Sequence, residues 1–297
     1  MPKLLSQAAV ETYRRDGFYS PVRVMSAADA HNYRNALETH EAHDGRPLQG
    51  NMRHKTHLLF TWADELVHHP RILDAVEDAI GPDILCWTTN FFIKEAHSPG
   101  FVSWHQDSTY WGLDPDEVIT AWVAFTDVTP ENGYMQVIPG SHKIDQLPHV
   151  DTFHKDNLLS RGQEIAVEVD KSKAVGLDLR AGEMSLHHIK LVHGSEANHT
   201  DDRRIGLAIR TSRLMCGRPR CATRPCWCAA PINSTTSTTR QGPVGTSIRA
   251  RWPRTPIRWR ARSRRCIRAP RRPRFAPERR ACAAVHLPAR DKYPGKR

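Results

Sequence analysis

The 297 residues carry a net charge of +11 at pH 7, but residues 1–210 hold 20 Lys+Arg against 30 Asp+Glu and residues 211–297 hold 23 against 2, so the average describes neither part. The first part is long enough for one domain with a real core, and with Cys86 as its single cysteine it excludes a disulfide framework. No run approaches the roughly 20 apolar residues a membrane-spanning helix needs, and the opening Met1-Pro2-Lys3-Leu4-Leu5 is too short for an export signal, so a cytoplasmic protein is expected.

Ser6 can cap a helix over 7–16 that Gly17 stops. Ser26-Ala27-Ala28-Asp29 opens a second helix to about residue 41, and Pro70 starts a third over 71–80, ended by Gly81-Pro82. Residues 84–94, 118–127, 135–138, 164–169, 184–187 and 204–210 read as strands, with Pro130-Glu131-Asn132-Gly133 as a turn. Many short strands after a helical preface predict one α+β, mainly β domain over 1–210: a jelly-roll barrel with N-terminal helices buttressing one sheet face.

Chemistry concentrates in His105-Gln106-Asp107, followed 86 residues later by His193 and then by Arg204. Two imidazoles and one carboxylate are the ligand set of a non-haem Fe(II) centre with three coordination positions left open. On an extended strand, residues i and i+2 share a face, so His105 and Asp107 can reach one ion while Gln106 points elsewhere. The third ligand must come from another strand brought alongside, and His193 lies in the short apolar stretch Leu191-Val192-His193-Gly194-Ser195. A His-x-Asp by itself is more often a surface or capping pair; the surrounding sequence sets this one apart.

Trp104-His105-Gln106-Asp107-Ser108-Thr109-Tyr110-Trp111, the stretch AWVAFTDVTPENGYMQVIPGSHK over 121–143, and His193-Gly194-Ser195 with Asn198, Arg203 and Arg204 resemble the phytanoyl-CoA dioxygenase family of Fe(II)- and 2-oxoglutarate-dependent oxygenases, over roughly residues 8–210. The resemblance implies a double-stranded β-helix, a cupin-like distorted jelly roll, holding iron through His105, Asp107 and His193. It implies 2-oxoglutarate as co-substrate with its far carboxylate on Arg204, O2 as oxidant, and hydroxylation of an aliphatic C–H with release of succinate and CO2. Because halogenating relatives have a small residue in place of the carboxylate, Asp107 points to hydroxylation or a related desaturation or ring closure. Ser195, Gln106, Trp122 and Asn90 fall near other co-substrate positions of the family, as does Lys94.

The guanidinium assignment also stands on chemistry, since a planar fork fixes both the position and the direction of a dicarboxylate. Arg203 and Arg210 compete with Arg204 for that role, and a solvated strand-edge charge is the bland reading of either neighbour. His187 reads as a packed core histidine rather than a fourth ligand. Trp104, Tyr110, Trp111 and Phe125 read as barrel core or pocket wall. His54, His57, His68 and His69 read as solvated, and Gly140-Ser141-His142-Lys143 as a structural turn, since no helix clearly follows it.

Residues 211–297 hold six of the seven cysteines, eleven of the 21 prolines and one of the 17 histidines, with little apolar periodicity from which to build a core. An arginine-rich arm could bind nucleic acid through charge, but no recognisable module accompanies it. Zinc is disfavoured because Cys221, Cys226 and Cys228 lack paired spacing. Arginine outnumbers lysine 21 to 2 there, as GC-rich DNA read out of frame would give. A one-base shift just after Arg210 is the simplest cause, making this tail out-of-frame and the chain either an oxygenase with an altered end or an inert product. The expected partner is a small-molecule substrate, with no membrane and no nucleic acid. Neither the substrate nor the oligomeric state is legible, although the acidic first part disfavours a polyanion unless local charge overrides it.

Overall fold

In a computed structural model of the chain, residues 2–111 and 118–213 are described. The expectations for the side chains of Tyr110 and Trp111, and for the tail beyond residue 213, lie outside them. The first helix, α1 (Gln7–Asp16), is capped by the Ser6 side chain, which accepts from Ala9 N, and ends at Gly17 with φ 82°. That left-handed conformation favours glycine, so the stop was readable. Helix α2 (Ala27–Asp44) opens on a capping box between Ser26 and Asp29 and runs a turn past the expected end. A third helix, α3 (Thr61–Val67), was not expected, and Phe60 supplies it with no side-chain cap. Helix α4 (Pro70–Ile80) starts on its proline as predicted.

The eleven strands among the described residues are β1 (Phe18–Arg23), β2 (Ile84–Lys94), β3 (Val102–His105), β4 (Val118–Ala124), β5 (Met135–Val137), β6 (His149–Asp151), β7 (Gln163–Ile165), β8 (Val175–Leu177), β9 (Glu183–His188), β10 (His193–Ser195) and β11 (Arg204–Arg213). They form a five-stranded sheet in the order β1-β9-β4-β11-β2, a four-stranded sheet in the order β3-β10-β5-β8, and the β6-β7 pair. All the named pairings are antiparallel. Strand β1 was missed because Pro21 argues against a strand; it lies at the sheet edge, where a missing N–H costs no ladder bond. The 164–169 strand is cut short at Ile165: Ala166 N still donates to Pro148 O opposite it, but Pro148 has no N–H to return a second ladder bond. The last strand runs three residues past the expected boundary, with Thr211, Ser212 and Arg213 opposite Cys86, Leu85 and Ile84.

Alternation divides the five-stranded sheet into two faces. Ile119, Ala121 and Val123 of β4, Ile205, Leu207 and Ile209 of β11, and Phe91 and Ile93 of β2 join the main core with Val10 and Tyr13 of α1, Leu66 of α3 and Ile72 and Val76 of α4. Burying each such large side chain contributes about 1.5–3 kcal/mol, so the helices hold the sheet as the buttress expected of them. The intervening positions turn to the other face, where Trp122, Ala124 and Ala208 form a separate cluster. Among the described residues, no helix is long and apolar enough to cross a membrane.

Candidate functional site

On β10, His193 pairs directly with His105 on β3, and the ring centroids lie 4.2 Å apart. The expectation that a second strand delivers the third group is met by this register. One detail differs: β3 ends at His105, and Asp107 sits in the turn that follows. Gln106 N donates to His149 Nε2 at 3.0 Å and Ser108 N to Ile189 O at 3.1 Å, which bends the chain into the single helical turn Ser108–Trp111. His105, Asp107 and His193 are all buried, and one ligand atom from each lies within 4.8 Å of the others.

The donor set fits a divalent metal. A carbonyl can only accept, so His105 Nδ1–H donates to Ser103 O and His193 Nδ1–H to Leu191 O, each at 2.8 Å. Both imidazoles are thereby fixed with Nε2 as the free lone pair, the usual support of a metal-binding histidine. Burial, with His105 next to it, drives His193 well below the ordinary histidine range, so it is neutral and able to ligate. Burial works against the Asp107 charge, but the Arg210 guanidinium beside it outweighs that and holds the carboxyl far below its usual range. Asp107 Oδ2 has no hydrogen-bond partner among the described residues, and its nearest cation is Arg210 Nε at 3.6 Å.

Arg204 and Arg210 share the inward face of β11, while Arg203 faces the other way. Arg203 is paired with Glu41 at 2.5 Å and with Glu95 at 2.6 Å, which removes it as a competitor for an incoming carboxylate. Arg204 is 2% exposed, its Nε has no hydrogen-bond partner, and its guanidinium lies 5.2 Å from the centre of the Trp122 ring. Burial alone pulls it down to about 10. An unpartnered buried cation costs free energy unless an anion joins it. Arg204 and Trp122 line one chamber with Ser195, Thr120, His187, His105 and His193. Thr120 Oγ1 and His187 Nδ1 also have no hydrogen-bond partner among the described residues. Burial pushes His187 down to about 4.

Ser195 lines the same chamber, and its Oγ accepts at 2.8 Å from the Lys94 side-chain nitrogen, which also donates to Gly133 O and Glu196 O. Burial beside Arg204 pulls Lys94 down to about 6. Gln106 faces elsewhere: its amide donates to Lys190 O and accepts from Gln146 and Leu147 N. Asn90 links Arg210, from which its Oδ1 accepts at 2.7 Å, to His54 Nδ1, to which its amide donates. It lines an outer cleft rather than the Arg204 chamber. Thr120 was not singled out from sequence, although its two-residue spacing from Trp122 on a strand was the signal for it. The turn over 140–143 is structural, since Ser141 Oγ accepts from Val192 N at 2.9 Å and anchors the entry to β10.

Residues 4–206 match the family described as Phytanoyl-CoA dioxygenase (PhyH). The chain belongs to the phytanoyl-CoA dioxygenase family. Among its curated relatives, a probable alpha-ketoglutarate-dependent hypophosphite dioxygenase of Stutzerimonas stutzeri is 30% identical over 155 residues, 52% of this chain and 54% of that protein. The peroxisomal phytanoyl-CoA dioxygenase of Bos taurus is 26% identical over 239 residues, covering 72% and 70%. The chain spans about half the length of several curated relatives it matches. Among solved structures, the non-heme monooxygenase ThoJ in its apo form is 39% identical with a TM-score of 0.61, covering 69% of this chain and 77% of that one. The non-heme alpha ketoglutarate dependent carbocyclase SnoK from nogalamycin biosynthesis is 25% identical with a TM-score of 0.58, covering 72% and 87%. In this member of the phytanoyl-CoA dioxygenase family, His105 and His193 lie on the four-stranded antiparallel sheet, Asp107 in the turn after β3, and the buried Arg204 on the five-stranded one.

Proposed function

We propose that the chain is an Fe(II)- and 2-oxoglutarate-dependent dioxygenase on a double-stranded β-helix, hydroxylating an aliphatic C–H of a small-molecule metabolite or natural-product intermediate. The observation that carries this reading is the pairing of a buried His105-Asp107-His193 cluster with the unpartnered guanidinium of Arg204 in the adjoining chamber. His105, Asp107 and His193 would hold iron; Arg204, with Ser195 and Trp122 beside it, would hold the far carboxylate of 2-oxoglutarate. Bound iron supplies O2 activation, with 2-oxoglutarate oxidatively decarboxylated to succinate and CO2.

The protein's own part is positioning. A guanidinium fork accepts a carboxylate through two parallel charge-assisted bonds, so Arg204 orients as well as binds. The apolar ring of Trp122 limits water beside that contact and strengthens it. Asp107 supplies one negative charge to the centre, and Arg210 keeps it ionised. All these residues precede 211, and we read 211–297 as out-of-frame sequence whose first three residues still complete β11. An anaerobic titration with Fe(II) and 2-oxoglutarate tests the site through its metal-to-ligand charge-transfer band, and His105→Ala or Asp107→Ala should abolish both the band and substrate-dependent succinate. A band that survives Asp107→Ala with unchanged affinity would refute the ligand assignment.

A further inference from the structure

Beside the metal cluster lies a second hollow, a cleft of about 290 Å³ that is lined by Asp107 and shares Phe92 and Arg210 with the Arg204 chamber. Its charge is opposite to that of the acidic first 210 residues. Arg53, His54, Lys55 and Arg210 face it, and Asp107 is its one acid among the described lining residues. Arg210 is held by Asn90 and lies beside Asp107. Burial and the nearby Arg53 and Arg210 lower His54, so it is neutral and accepts from Asn90. Two cations then remain for a guest. Arg53 is half-buried, its Nε has no hydrogen-bond partner, and no carboxylate pairs with it among the described residues. The Lys55 ammonium stands 5.8 Å over the ring of Trp87, which is 38% exposed and forms part of the apolar wall with Leu158 and Leu159.

We propose that this cleft is the substrate subsite and that it selects a small molecule with an apolar body and one anionic group, a carboxylate or a phosphate ester. Arg53 and Lys55 receive the anion, and Trp87 and Leu158 flank the apolar part, which reaches inward to the metal at Asp107. This assignment rests on the oxygenase reading above and narrows it. A half-buried guanidinium whose enclosed Nε has no partner is stabilised when an anion arrives, and the exposed Lys55 adds a second charge-assisted contact. A neutral substrate would leave Arg53 unpartnered. The local charge thus overrides the net acidity of the domain.

The test compares 4-phenylbutyrate, 4-phenylbutyl phosphate and neutral 4-phenylbutyramide as probes. Each is titrated calorimetrically into the full chain, anaerobically, with Fe(II) and saturating 2-oxoglutarate. At least one anion should bind about tenfold or more tightly than the amide, and the stronger of the two identifies the group. Arg53→Gln should remove most of that preference, while Lys55→Gln, at an exposed position that tolerates change, should reduce it several-fold. Equal binding of amide and anions, no binding by any probe, or a preference untouched by both substitutions would overturn the proposal. The charge-transfer band is read on the same samples. If the band forms and the preference is missing, the cleft assignment fails alone; if the preference is present without the band, the oxygenase reading fails and the anion site stands.

Discussion

Replacing Arg204 with methionine should stabilise the ligand-free protein while disabling it for 2-oxoglutarate. Arg204 is fully enclosed, and burial alone brings its guanidinium down to about 10. That displacement corresponds to a ceiling of about 3 kcal/mol stored against the folded state. The contact with the Trp122 ring returns about 1–2 kcal/mol of it, and a methionine of similar reach refills the space. The net gain is about 1–2 kcal/mol, or roughly 2–8 °C in melting temperature for a domain of this size. Two charge-assisted bonds to a carboxylate contribute about 1.5–3 kcal/mol each, so the affinity for 2-oxoglutarate should fall by about two to four orders of magnitude. Differential scanning fluorimetry with and without 2-oxoglutarate, plus the Fe(II) charge-transfer titration, reads both quantities. Destabilisation of the ligand-free variant, or an unchanged 2-oxoglutarate affinity, would refute the argument that Arg204 is an anion site held in readiness.

Arg203→Ala should leave 2-oxoglutarate affinity unchanged but cost about 3 kcal/mol of stability, because it strips the buried Glu41 carboxylate of its cation; an affinity loss like that of Arg204→Met would reverse the assignment of the two neighbours. Gly206→Ala should impair 2-oxoglutarate binding without touching a ligand, since a Cβ there would collide with the Trp122 ring and force it from its place beside Arg204; calorimetry on the variant checks this. The metal-free protein should lose stability as pH falls from about 6.5 to about 4, because burial lowers His187 and the unfolded chain binds a proton there that the folded chain refuses. His187→Asn should flatten that slope by up to about 1.4 kcal/mol per pH unit, as read from urea midpoints; an unaltered slope would mean that His187 is not the group responsible.

Much of this site could be read from the chain because strand alternation is simple. The series Arg204, Gly206, Ala208, Arg210 against Ile205, Leu207, Ile209 puts both inward arginines on one face and Arg203 on the other. The spacing of His105 and Asp107, the caps at Ser6, Ser26 and Pro70, and Gly17 as a stop are likewise local properties that neighbouring residues impose. Short elements escaped because their signals are not local: β1 contains a proline that only an edge position tolerates, and α3 is held by packing without a side-chain cap.

What the sequence determined, then, was the inventory and the parity: a two-imidazole, one-carboxylate set and an arginine fork on a strand. The tertiary structure decided how these meet. Pairing of β10 with β3 placed His193 opposite His105, a contact between residues 88 apart that no local pattern specifies. Sheet register set Arg204 beside Trp122 and Arg210 beside Asp107, so two arginines alike in sequence differ in environment and therefore in chemistry. It also brought Arg53 and Lys55, which had drawn no attention in the sequence, into one cleft with Asp107. Packing of distant segments creates burial, and burial turns an ordinary arginine into a cation whose charge is left uncompensated.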